Sequence, residues 1–83
     1  MSNSSPVPVS IVADRATETF VLDHAFSLIK RGVGSFTLEL RPGLYKFKFR
    51  SGMALEERHQ EISPGSKVVV VTAPSLSFTS SVL

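Results

Sequence analysis

The 83-residue sequence predicts an all-β domain, an immunoglobulin-like β-sandwich of six or seven short antiparallel strands. Three observations predict it. Tyr45, Phe47 and Phe49 alternate with Lys46, Lys48 and Arg50, the two-residue period of a strand with one dry face and one wet face. Turn signals punctuate the chain at Pro42-Gly43, Ser51-Gly52 and Pro64-Gly65; in the Pro-Gly pairs Pro presets φ and Gly accepts the positive φ of a type II turn. The runs between them are rich in β-branched and aromatic residues.

Composition bounds the rest. A chain of this length makes one domain and buries only roughly 60–65% of its unfolded surface, so the core is thin. With 42% apolar and 19% charged residues it reads as globular, and no cysteine is present to form a disulfide, bind metal as a thiolate or act as a nucleophile. The net charge of +2 is too small to suggest a nucleic-acid binder. No apolar run approaches the ~20 residues of a helical membrane span, and Met1 to Ser5 lack the pattern of a secretory signal.

In chain order, Pro6 to Ala13 reads as a first strand with Val7, Val9 and Ile11 on one face, and Pro6 and Pro8 confine the start of it to an edge. Asp14 to Thr17 is a polar turn. Glu18 to Asp23 and Phe26 to Lys30 read as two strands joined at His24-Ala25 and closed by Arg31-Gly32-Val33-Gly34. An α+β alternative competes here. Asp14 could cap a helix over residues 15–31, with Val21, Ala25, Leu28 and Ile29 on one face and Gly32 just past its end.

From Gly34 on, strands alone fit. Phe36, Leu38 and Leu40 share a core face, and Pro42-Gly43 leads into the aromatic strand. Met53 to Ile62 is polar and suits a charged edge; its Leu55 and Ile62 have opposite parity, so a bulge is needed if both face the core. Ser66 to Ala73, with Val68 to Val71 at its centre, suits a strand buried on both sides or at a sheet centre. Glu39-Leu40-Arg41-Pro42-Gly43 is echoed 22 residues later by Glu61-Ile62-Ser63-Pro64-Gly65, the same strand-ending device used twice. The domain is expected to span residues 6–74, between a tail at 1–5 and a linker or tail at 75–83, as in a piece of a longer protein.

Leu40-Arg41-Pro42-Gly43-Leu44-Tyr45-Lys46-Phe47-Lys48-Phe49-Arg50-Ser51-Gly52, an acidic strand, and Ser63-Pro64-Gly65 before the Val run together resemble PEGA-like and carboxypeptidase regulatory-like β-sandwich modules. The likeness covers residues 34–73. It implies a small bacterial domain appended to a larger protein, with an accessory role and no catalytic residues. The Tyr45 to Phe49 strand is also similar to that of glycogen-binding modules, which stack sugars on tryptophan; this chain has none.

Candidate chemistry is sparse. His24 and His59 are the two histidines, without the convergent partners a zinc site needs. No serine lies in a nucleophile-elbow pattern, and Gly32-Val33-Gly34 lacks the further glycine and lysine of a phosphate loop. No active site, metal or cofactor is therefore expected. Two binding features remain. Arg41, Lys46, Lys48 and Arg50 form a candidate anion-binding face, unless Glu56 or Glu57 neutralises it across a hairpin. Counting from a Ser51-Gly52 turn puts Lys46 opposite Glu57, and no exposed aromatic accompanies the row, which argues against nucleic acid. The other feature is apolar excess (Leu76, Phe78, Val82 and Leu83), suited either to strand addition or to a linker. The sequence thus reads as a non-catalytic accessory or protein-interaction domain, its partner a protein or a neighbouring domain. A carbohydrate- or anionic-ligand-binding module is the alternative.

Overall fold

The computed structural model describes residues 5–65 and 67–74. The expected N-terminal tail and the 75–83 linker with its apolar side chains lie outside the described residues, apart from Ser5. Among the described residues seven strands form: β1 (Val7–Val12), β2 (Glu18–Leu22), β3 (Leu28–Val33), β4 (Phe36–Leu40), β5 (Gly43–Ser51), β6 (Ala54–Ile62) and β7 (Val69–Thr72). They divide into a three-stranded sheet of order β4-β1-β7 and a four-stranded sheet of order β3-β2-β5-β6. Every pairing is antiparallel except β1 with β7. The all-β expectation holds.

The helix over residues 15–31 does not form. Its capping signal is real but serves a turn. Asp14 Oδ1 accepts from the Ala16 amide and the Thr17 hydroxyl, both at 3.0 Å, while the Asp14 carbonyl accepts from the Thr17 amide. A side chain that caps a helix closes a turn by the same bond. The β-branched residues that follow then extend as β2, burying Thr19 and Val21.

The chain alternates between sheets: one strand in the smaller, a hairpin in the larger (β2–β3), one strand, another hairpin (β5–β6), one strand. The echoed Pro-Gly motif marks two of the crossings. Leu40 and Ile62, both buried, end β4 and β6, and each following strand lies in the opposite sheet. The two turns nevertheless differ. Gly65 sits at φ 83, the value a type II turn requires, whereas Gly43 sits at φ 154, also positive but far from that value, and already pairs with Ile62. The Tyr45 hydroxyl donates to the Arg41 carbonyl at 2.8 Å and fastens that corner.

The core lies between the sheets. Val7, Val9, Ile11, Leu40 and Val71 meet Val21, Tyr45, Phe47, Phe49 and Ile62. Phe47 and Phe49 are fully buried, with centroids 6.5 Å apart and rings 13° from parallel; each contributes about 1.5–3 kcal/mol by burial. At one end of the sandwich Phe36 of β4 covers Gly32 of β3 so closely that an added Cβ would lie 2.7 Å from its ring. At the other, Arg58 of β6 donates to the Thr72 carbonyl of β7 at 2.9 Å and joins the two sheet edges.

One expectation is corrected: the Val run forms an edge strand of the described sheet, with Val68 and Val70 exposed. β1 is central in its sheet, and only its start lies at an edge, as the prolines require: β7 pairs only from Val9 onward, leaving one side of Pro8 unladdered. β6 needs no bulge, because its pairing with β5 is continuous from Ile62 to Ala54 and Leu55 faces outward rather than into the core.

Candidate functional site

The outer face of the four-stranded sheet is the candidate site. In β2 and β5 the alternation that sends Thr19, Val21, Tyr45, Phe47 and Phe49 inward sends Phe20, Leu22, Lys46, Lys48 and Arg50 outward. In β6 the outward residues are Leu55, Glu57, His59 and Glu61. Phe20, Leu22, Leu28 and Leu55, with Lys48 and Arg50, line a concavity of about 340 Å³. Leu28 and Leu55 are 57% and 58% exposed, apolar side chains on the solvent side of the sheet.

A bulge builds one wall of this cradle. Val21 pairs with Lys30, but Leu22 pairs with Leu28, so Ile29 is the extra residue in β3. Without it Leu28 would share the inner face of Lys30; with it Leu28 joins Leu22 on the outer face. The fold does contain a bulge, then, on β3 rather than β6.

The charges form two clusters, each with two cations on one carboxylate. Glu18 holds Arg50 at 2.7 Å and Arg31 at 3.4 Å; Glu57 holds Lys46 at 3.1 Å and Lys48 at 3.9 Å. The hydrogen bond from Lys46, reinforced by its charge, lowers the pKa of the exposed Glu57 carboxyl. Each cluster retains a positive charge. The arginine planes also meet aromatic faces, Arg50 lying 5.5 Å from the Phe20 centroid on this surface.

Beyond Lys46 the face ends at the β2–β3 loop. Asp23 Oδ1 accepts from the Ala25 and Ser27 amides at 2.9 Å, and the Phe26 amide donates to the Asp23 carbonyl at 2.9 Å. These bonds hold Phe26 at φ 64, a costly position for a bulky residue, with its ring exposed and 5.1 Å from Lys46 Nζ. Asp23, His24, Phe26, Leu44, Tyr45, Lys46 and His59 line a second concavity of about 160 Å³.

Of the predicted basic row, Lys46, Lys48 and Arg50 share the outer face, while Arg41 lies apart in the link between β4 and β5. The loop of the β5–β6 hairpin is Gly52-Met53, with Gly52 at φ 61 as the first central residue, so Lys46 opposes His59 and Lys48 opposes Glu57. The expected Lys46–Glu57 pair forms all the same, diagonally. Sequence reasoning missed Phe20, Leu22, Leu28 and Phe26 as companions of the row. The outward parity of Phe20 and Leu22 in β2 was the available signal; the β3 bulge left none.

Among the described residues no group of three His, Cys, Asp or Glu side chains comes together to hold a metal, and no helix is long and apolar enough to cross a membrane. Compared with known proteins, the chain matches no family model and no curated protein.

Proposed function

We propose that this chain is a non-catalytic accessory domain that binds a protein partner, or a neighbouring domain, through the outer face of its four-stranded sheet. The observation that carries this reading is the cradle itself. Phe20, Leu22, Leu28 and Leu55 stay solvent-facing between two clusters in which four cations share two carboxylates. Such a surface suits an apolar partner bearing acidic side chains. The resemblance of residues 34–73 to PEGA-like and carboxypeptidase regulatory-like modules supports the same role, as part of a longer bacterial protein. The seven strands among the described residues, divided four and three, support an immunoglobulin-like sandwich in the architectural sense, with a strand order of its own.

An apolar anion tests the face directly. 1-Anilinonaphthalene-8-sulfonate should bind the native chain saturably, at one site, and the double variant L55S/K48E should lose that binding while keeping native circular dichroism. Absence of binding, or binding indifferent to the double variant, would overturn the reading. The alternative, a carbohydrate- or anionic-ligand-binding module, draws on the strained, exposed Phe26 beside Lys46, His24 and His59. For it, soluble glucan or polyphosphate should shift the Phe26 and His59 resonances and leave Leu55 unmoved.

A further inference from the structure

The two edges of the four-stranded sheet are guarded differently. β6 carries Glu56, Glu57, Arg58, His59, Gln60 and Glu61 in succession, a charged edge that discourages unplanned pairing. β3 carries Leu28, Ile29 and Val33, exposed by 57%, 46% and 62%, with Lys30 and Arg31 between them. Among the described residues β3 pairs with β2 alone, which leaves the backbone on its far side open.

We propose that β3 is a docking edge that accepts an extended segment of a partner protein as a fifth strand, apolar at its ends and acidic at its centre. This rests on reading the outer face as a protein-interaction surface and specifies how the partner engages it. Charge selects the occupant. A second copy, paired antiparallel about a two-fold at the strand centre, would set Lys30 against Lys30 or Arg31 against Arg31, and like charges directly opposite destabilise a ladder. An acidic pair at the same positions reverses the sign. Lys30 makes no ion pair among the described residues, and Arg31 shares Glu18 with Arg50 at the shorter distance, so both cations can take a carboxylate. The edge is continuous with the cradle as well. Leu28 belongs to both, so a strand laid along β3 extends the apolar wall that the bulge creates.

The test uses the full chain, ¹⁵N-labelled, and a blocked peptide Val-Thr-Glu-Glu-Val-Val as probe, with its Lys-Lys counterpart as control. The expected result is slowed hydrogen exchange at alternate amides of residues 28–33, with the Lys-Lys peptide binding about tenfold more weakly. The K30E/R31E variant should invert that preference. K30E alone, which touches no native ion pair among the described residues, should at least level it. Shifts at Phe20, Leu22 and Leu55 with unchanged exchange in β3 would overturn strand addition and leave the face reading intact. No shift anywhere would overturn the docking edge, and the naphthalene sulfonate titration would then decide the face separately. Concentration-dependent dimerisation that protects β3 would overturn the choice of occupant in favour of a second copy.

Discussion

The inner and outer faces of the four-stranded sheet are cut from the same strands and both carry apolar side chains, yet only the inner one is covered by the second sheet. Inside, Val21, Phe47, Phe49 and Ile62 are covered by the smaller sheet. Outside, Phe20, Leu22, Leu28 and Leu55 face solvent, held among cations. The difference teaches that alternation alone does not say which face of a strand is the working one. Packing stabilises the inner face, and the outer face is free to be specific. Substitutions on the two faces should therefore separate stability from binding.

The largest effect belongs inside. F47A should destabilise the domain by about 3–5 kcal/mol, because a fully buried ring leaves a cavity between the sheets; denaturant unfolding measures it, and a loss below 1 kcal/mol would break the comparison. G32A follows, at about 1–3 kcal/mol, since its Cβ would meet the Phe36 ring at 2.7 Å. A normal melting temperature for G32A would show that Phe36 swings away freely.

T19V should act in the opposite direction. The Thr19 hydroxyl is buried beside Phe49 with no hydrogen-bond partner among the described residues, so its removal should raise stability by about 1 kcal/mol. On the outer face, L55S should change stability by less than about 0.5 kcal/mol while weakening capture of naphthalene sulfonate. Parallel losses of stability and binding would merge the two faces again.

The smallest effect is electrostatic. The folded-state pKa of Glu57 is depressed, mainly by the Lys46 hydrogen bond, so its contribution is present above the unfolded carboxylate range and lost as pH falls through the folded value. E57Q should flatten that part of the acid limb of the stability profile only slightly, since the pair is exposed. A larger change would mark the Lys46–Lys48 cluster as structural rather than available.

Much of this was legible one strand at a time. The parity of Tyr45, Phe47 and Phe49, of Phe36, Leu38 and Leu40, and of Val7, Val9 and Ile11 was enough to name the core. The Pro-Gly echo marked two strand ends, although not that both lead into the opposite sheet. Asp14 shows the limit of local signals: its carboxylate satisfies amides in a helix cap and in a turn alike, and only the neighbouring β-branched residues separate the two.

By itself the sequence determined that this chain forms strands, roughly where most of them break, and which side chains of most strands share a face, because side-chain period and turn chemistry act over a few residues. Tertiary structure alone decided the rest: β1 at a sheet centre, the Val run at an edge, Leu55 outward, and the Ile29 bulge that turns Leu28 into the cradle. Each depends on which strand lies alongside. A one-residue change in register between partners inverts the faces of a strand without changing its own preference for extended backbone, so no reading of one strand can reveal it.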